Sequence, residues 1–313
     1  MLKILIIADD LTGAADCAAA CGPDALVVLD DSRGAQGAEV VAFDANTRSM
    51  TAEHAAAETA RIVRSYPASI VYKKIDSTMR GHIAVEIAGA LNTYRSMGHP
   101  EAIAVVAPAF PAMGRTTKGG RQYVRGVPLE NGDLTGLPNS VMCDAETDED
   151  LRAITIKWIG RDVLWVGSAG LMSALTAHQP KRKPLPPPKV SGSIIFAVGS
   201  LSERSRQQAE SLRASGIGSD VILVGEPEAL ASQVSARHGP IGALVLTGGD
   251  TARAVLRTLG IAALRVVGEV EPGVPILLTE GPRALPVVTK AGDFGNRETL
   301  VRCRAALRTG RQP

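Results

Sequence analysis

Short apolar runs recur along the chain, each ending in a polar or glycine-rich turn, and most are followed by a helical pattern. In the first half they fall at residues 4–8, 40–43, 69–75, 102–107 and 163–166. After residue 190 the same grammar resumes at 193–198, 221–224, 243–246 and 275–278. Alternating strand and helix predicts α/β layers, each built on a mainly parallel sheet flanked by helices. Between the halves lies 179–189, where prolines alternate with lysines and an arginine. Prolines forbid regular structure there, so the stretch reads as a solvated, semi-rigid linker. The expected organisation is a first domain over 1–178, the linker over 179–189, and a second domain over 190–313. No repeat of fixed period is seen.

Composition narrows the function. The chain has 313 residues, 45% of them hydrophobic and only 3% aromatic. That supports a sizeable aliphatic core but leaves little for base-stacking platforms or a membrane belt. Lys and Arg number 34 against 32 Asp and Glu, a net charge of +2. So even a balance argues against a nucleic-acid partner while leaving room for a small anion. The apolar runs fall far below the ~18 residues that span a bilayer, so no membrane association is expected. The start of the chain does not read as a signal peptide. The four cysteines, Cys17, Cys21, Cys143 and Cys303, form no CxxC pair and the histidines are scattered. Neither a disulfide framework nor a zinc site is implied, and a cytoplasmic location is expected.

In parallel sheets ligands sit at the carboxyl ends of the strands, so the loops there carry the chemistry. The first run empties into Asp9-Asp10-Leu11-Thr12-Gly13. Two adjacent carboxylates at this position can accept a proton or hold a cation, although one of them can equally cap the helix, as can Thr12. The run at 40–43 is followed by Arg48 among hydroxyls, which suits either a carboxylate or a plain turn. In Lys73-Lys74-Ile75-Asp76-Ser77-Thr78-Met79-Arg80, a strand that runs through Ile75 would put Lys74 and Asp76 on one face and Lys73 on the other by alternation. Lys74, Asp76 and Arg80 can then converge, with Ser77 or Thr78 capping the next helix. His82 reads as a helix-surface residue rather than a base. A further loop, 108–121, sets Phe110 between two prolines and offers Arg115 as an anion clamp.

The second half supplies turns of another kind: Gly199-Ser200-Leu201-Ser202, Gly248-Gly249-Asp250-Thr251 and Lys290-Ala291-Gly292-Asp293-Phe294-Gly295. Strand, glycine-rich turn and helix is phosphate-cradling geometry. None matches the P-loop or the GxGxxG fingerprint. A carboxylate and cations in one domain and phosphate turns in the other fit phosphoryl transfer.

Taken together, 8–14, 73–81, 108–117, 248–252 and 290–295 resemble, in order, the motifs of the four-carbon acid sugar kinase family. The resemblance implies ATP- and Mg²⁺-dependent phosphorylation of the terminal 4-hydroxyl of D-threonate, D-erythronate or 3-oxo-tetronate. It also implies an acid-sugar-binding N-terminal domain, an ATP-binding C-terminal domain and an active site in the cleft between them. Carried over, it puts the acid at Asp9, Asp10, Arg48, Lys74, Asp76, Arg80 and Arg115, with Asp10 the favoured general base and Asp9 its competitor. It puts the nucleotide at Ser200 or Ser202, at Gly248, Gly249, Asp250 and Thr251, and at Gly292, Phe294 and Gly295. Family members are usually longer, and this chain looks abbreviated at 127–147 and 225–242, stretches that bear on substrate preference and on the nucleotide-pocket wall. Two other readings stand beside it: a non-catalytic metabolite-binding or interaction protein, and a nicotinamide-dependent oxidoreductase, which the missing GxGxxG weakens. No metal ligands are assigned, and homo-oligomerisation is left open.

Overall fold

The computed structural model describes residues 2–31, 37–133, 135–178, 185, 190, 192–200, 202–281 and 284–310. Its strands, in chain order, are β1 (Leu2–Ala8), β2 (Leu26–Val28), β3 (Val40–Asp44), β4 (Ala68–Lys74), β5 (Ile103–Ala107), β6 (Arg115–Lys118), β7 (Arg121–Val124) and β8 (Val127–Asp133). There follow β9 (Ser140–Met142), β10 (Val163–Gly167), β11 (Ser193–Val198), β12 (Val221–Val224), β13 (Ile241–Thr247), β14 (Ala263–Glu271), β15 (Val274–Thr279) and β16 (Pro286–Lys290). The helices are α1 (Leu11–Ala20), α2 (Ala52–Ser65), α3 (Ile83–Ser96), α4 (Asp148–Trp158) and α5 (Ala169–Thr176). The later ones are α6 (Glu203–Ala214), α7 (Pro227–Ser235), α8 (Gly249–Thr258) and α9 (Thr299–Thr309).

The chain divides into two compact units, one of residues 1–21 and 37–181, the other of 22–36 and 182–313. The linker expected at 179–189 lies, Leu185 apart, outside the described residues. In the first unit the main sheet is parallel throughout, in the order β3-β1-β4-β10-β5-β9. Its central strands are apolar on both faces, as a sheet covered on both sides requires. α2 packs with α3, and α1 packs with α5. α1 is rich in alanine, with one glycine and one cysteine, and is buried almost along its whole length, so small side chains let it lie against the sheet. A separate antiparallel sheet, β6-β7-β8, branches from the loop after β5. Because β1, β3, β4, β5 and β10 run the same way, the loops that follow them share one edge.

In the second unit β12, β11, β13 and β16 are parallel neighbours, and β15, β14 and β2 extend the sheet antiparallel. Ile194, Phe196 and Val198 of β11 pack with Ala243 and Val245 of β13 and with Leu300, Cys303 and Leu307 of α9. A fully buried side chain of this kind contributes about 2 kcal/mol, which fixes the strands that carry the turns. All four cysteines are free. Among the described residues, no helix is long and apolar enough to cross a membrane.

Candidate functional site

At the end of β1 the chain turns into α1, and of the candidate caps it is Asp10, not Thr12, that caps it. Its Oδ1 accepts from the Gly13 amide at 3.0 Å, and its Oδ2 accepts from the Thr12 hydroxyl at 2.6 Å. The capping reading of the Asp pair therefore falls on Asp10. Arg48, from the short turn Thr47–Ser49, reaches the same place. Its Nε donates to Asp9 Oδ2 at 2.5 Å, and its terminal nitrogens lie 3.3 Å from Asp10 Oδ2 and 3.7 Å from Asp76 Oδ1. Arg80 pairs with the other Asp76 oxygen, which also accepts from Thr78. Asp9, Asp10, Arg48, Asp76 and Arg80 thus converge as ion pairs, and Lys74, buried at the end of β4, adds its field.

The environment separates the carboxylates. Burial pushes Asp9 above the usual carboxylate range although Arg48 and Lys74 pull it back, and its Oδ1 is buried without a hydrogen-bond partner. Burial acts on Asp10 too, but there Arg48, Lys74 and the Thr12 hydroxyl outweigh it and hold the carboxyl below its ordinary value. Asp76 is likewise held low: Arg48 and Arg80 overcome its burial. For Lys74, burial is outweighed by Asp9 and Asp10, which keep the ammonium charged. Asp10 is the more exposed of the adjacent pair, at 13% against 2% for its side chain.

The neighbouring loops are tied together by groups that sequence reasoning passed over. Gln122 of β7 is fully buried; its amide donates to the carbonyls of Ser77 and Pro108, and its oxygen accepts from Thr117. Ser168 caps α5 and donates to the Ala109 carbonyl, while Tyr72 donates to the Ser168 carbonyl. Arg115 opens β6, is only 3% exposed and donates to the Met113 carbonyl, so it braces the Phe110 turn from within. α3 begins at Ile83 with His82 as its cap residue, later than Ser77 or Thr78, because Thr78 turns back to Asp76. His82 Nε2 lies 2.8 Å from the Met50 carbonyl and is half-buried.

In the second unit the three glycine turns meet at the carboxyl ends of β11, β13 and β16. A methyl group on Gly199 would lie 1.8 Å from Thr251 Oγ1, and one on Gly292 would lie 2.0 Å from Ser200 Oγ. Only glycine permits these approaches. Ser202 caps α6 and donates to the Gly292 carbonyl, as does Ser205. Gln208 donates to the carbonyls of Phe294 and Asn296. Lys290, the cation that opens the third turn, is fully buried and donates to the carbonyls of Ala291, Gly292 and Phe294. Burial lowers its pKa to about 8. With these carbonyls drawn inward, the turn is stiffened from below. Gly248 precedes α8, whose N-terminal amides favour an anion; Asp250 is exposed and Thr251 buried. Phe294 packs into the core with 9% exposure and presents no open ring.

A nucleotide fits this set, since the turns offer backbone donors at helix starts. Magnesium has no prebuilt cage: no cluster of at least three metal-ligating side chains occurs among the described residues, and the site's aspartates are engaged by cations. That ion is ordinarily carried in on substrate phosphates with few protein ligands.

An α/β protein with a buried Asp/Arg cluster in one unit and glycine turns at helix starts in the other fits the class of two-domain small-molecule phosphotransferases. The comparisons sharpen this. Residues 4–138 match the sugar-binding N-terminal domain, and residues 227–300 match the nucleotide-binding C-terminal domain. A D-threonate kinase of Cupriavidus necator is 34% identical over 418 residues, covering 99% of both chains, and one of Bordetella bronchiseptica is 29% identical over 98% of both. The chain belongs to the four-carbon acid sugar kinase family. Its 313 residues are spread over that 418-residue alignment, so the Cupriavidus relative has internal segments that this chain lacks. A Salmonella typhimurium protein described as a putative tRNA synthase superposes with a TM-score of 0.78 at 21% identity, covering 97% of this chain and 99% of its own. At that identity the likeness establishes the fold alone.

Proposed function

We propose that the protein uses ATP to phosphorylate the terminal 4-hydroxyl of a four-carbon sugar acid, with D-threonate the first substrate to test. The relatives that align along nearly the whole chain are D-threonate kinases, whereas a D-erythronate kinase aligns over 57% of it. The observation that carries the reading is the Asp10 carboxylate, held ionised beside Arg48 and Lys74 at the end of a parallel strand.

In this reading Asp10 orients the acceptor hydroxyl and takes its proton as the oxygen attacks phosphorus. Asp9, paired to Arg48 and more deeply buried, sets the guanidinium. Lys74 and the exposed Arg80 supply positive charge for the acid's carboxylate, and Arg48 adds its own. Arg115 acts indirectly, by shaping the Phe110 wall. The amides of the Gly199, Gly248 and Gly292 turns hold the phosphates, and the start of α8 stabilises charge developing on them. Magnesium, when bound with the nucleotide, neutralises phosphate charge.

A coupled ADP-release screen over D-threonate, D-erythronate and 3-oxo-tetronate with ATP and Mg²⁺ tests the assignment. Turnover is expected to be highest with D-threonate. Background rates on every acid, with folded protein, would overturn it.

A further inference from the structure

One buried polar network lies beneath the charged cluster and makes none of its ion pairs, although Lys73 adds to the field at Asp9. Lys73 sits on the opposite face of β4 from Lys74 and is fully buried. Its ammonium lies 3.3 Å from Glu86 Oε1 in α3 and donates to the Lys74 carbonyl at 3.0 Å. The Thr47 hydroxyl donates to the same Glu86 oxygen. Thr47 and Lys73 are 0% exposed and Glu86 is 1% exposed, while Glu86 Oε2 is buried without a hydrogen-bond partner.

On energetic grounds the arrangement is poor. A buried ion pair is often no more stabilising than apolar side chains of similar volume, and a half-satisfied carboxylate carries a desolvation penalty. Its geometry, however, has a clear consequence. Each arm ends one residue away from a cation of the sugar-acid site: Thr47 precedes Arg48, and Lys73 precedes Lys74. Fixing the Thr47 side chain fixes the turn that aims the guanidinium, and capturing the Lys74 carbonyl fixes the end of β4. His82, bound to the Met50 carbonyl, ties the start of α3 to the same turn.

We infer that Glu86 is a positioning residue, a single buried carboxylate that sets Arg48 and Lys74 against Asp9, Asp10 and Asp76. The kinetic part of its test rests on the kinase reading; the structural part does not. The variant Thr47→Val/Lys73→Met/Glu86→Leu replaces the network with apolar groups of similar size, and Glu86→Gln keeps an acceptor for Thr47 while removing the charge that faces Lys73. Both are compared with the wild type by thermal unfolding, by ADP-release kinetics and by carboxyl NMR titration of Asp10 and Asp76.

For the triple variant the expected result is a melting temperature close to that of the wild type, kcat about 100-fold lower and titration of both aspartates at higher pH, since misplacing a catalytic group by about 1 Å has that scale of effect. Glu86→Gln should fall between the two. Wild-type kcat and wild-type titration, whatever the melting temperature, would overturn the inference by leaving Glu86 a purely structural role. Should the triple variant fail to fold, Glu86→Gln decides by the same criteria. Should the wild type phosphorylate none of the acids, the kinase reading fails separately and the titration alone decides for Glu86.

Discussion

At the ends of β1 and β4, charged side chains neutralise one another across a few ångströms, whereas at the ends of β11, β13 and β16 the working groups are mostly backbone. Arg48 serves Asp9, Asp10 and Asp76 together, so the first site is a network in which each ion depends on its neighbours. The second is held by shape: Gly199 and Gly292 leave no room for a methyl group, and Ser202, Ser205, Gln208 and Lys290 pin carbonyls from beneath. A charge network is broken by removing one ion. A backbone cradle is broken by adding an atom.

The largest effect should come from Asp10→Asn. Asparagine caps a helix as well as aspartate does, so folding should persist while turnover falls by about 10³-fold, as measured by ADP release. Retained turnover would remove Asp10 as the base and leave Asp9→Asn as the deciding variant. Arg48→Ala should follow, lowering turnover about 100-fold and stability by about 3 kcal/mol in urea unfolding, because it strands buried carboxylates. Arg48→Lys should recover little, since an ammonium cannot reproduce a fork that serves several carboxylates. On the other side of the comparison, Gly292→Ala must displace Ser200. It should raise the KM for ATP about tenfold, equivalent to about 1.4 kcal/mol, with the KM for the acid unchanged. A rise in both constants would show that the turn is not specific to the nucleotide.

A further effect is a matter of pH. Lys290 has a folded-state pKa of about 8, lower than in an unfolded chain, so between about pH 8 and pH 10.5 the unfolded state binds more protons. Its contribution to stability therefore rises with pH through that window and is flat below it. Unfolding measured at several pH values should show this rise in the wild type and lose it in Lys290→Met. Asp76 gives the opposite edge: its depressed carboxyl contributes stability that is complete above the ordinary Asp range and lost on acidification.

Part of the first site was legible because strand alternation is a strict rule: Lys74 and Lys73, at the end of β4, do face opposite ways. The strand stops at Lys74, short of the Ile75 that the expectation required, so Asp76 reaches the cluster from the loop, where Thr78, Arg48 and Arg80 hold it. The strands at 193–198 and 221–224 coincide with β11 and β12, where unbroken apolar residues meet turn signals. Other features had no local signature. The destination of Lys290 is set by carbonyls arranged through Ser202 and Gln208, far away in sequence. β2 is three residues long, and nothing in Leu26–Val28 announces its antiparallel partner, β14. Gln122 looks like an ordinary strand polar residue until the Ser77 and Pro108 loops are brought to it.

That short strand has a bearing on how the chain can be taken apart. Leu26, Val27 and Val28 align with Arg265, Leu264 and Ala263, and Asp24 and Leu29 add bonds to Val266 and Ala262 at either end. An early segment is therefore stitched into the second unit, whose other strands all follow residue 190. Severing the chain at the proline-rich stretch would not yield an intact nucleotide unit. It would leave one with a bare β14 edge, a template for edge-to-edge aggregation. On the ribosome, too, Leu26–Val28 must wait for most of the protein to be synthesised before their partner strand exists. Gene fusions, split-protein designs and fragment studies of this family member therefore have to carry that early segment in trans, or graft it onto the later unit.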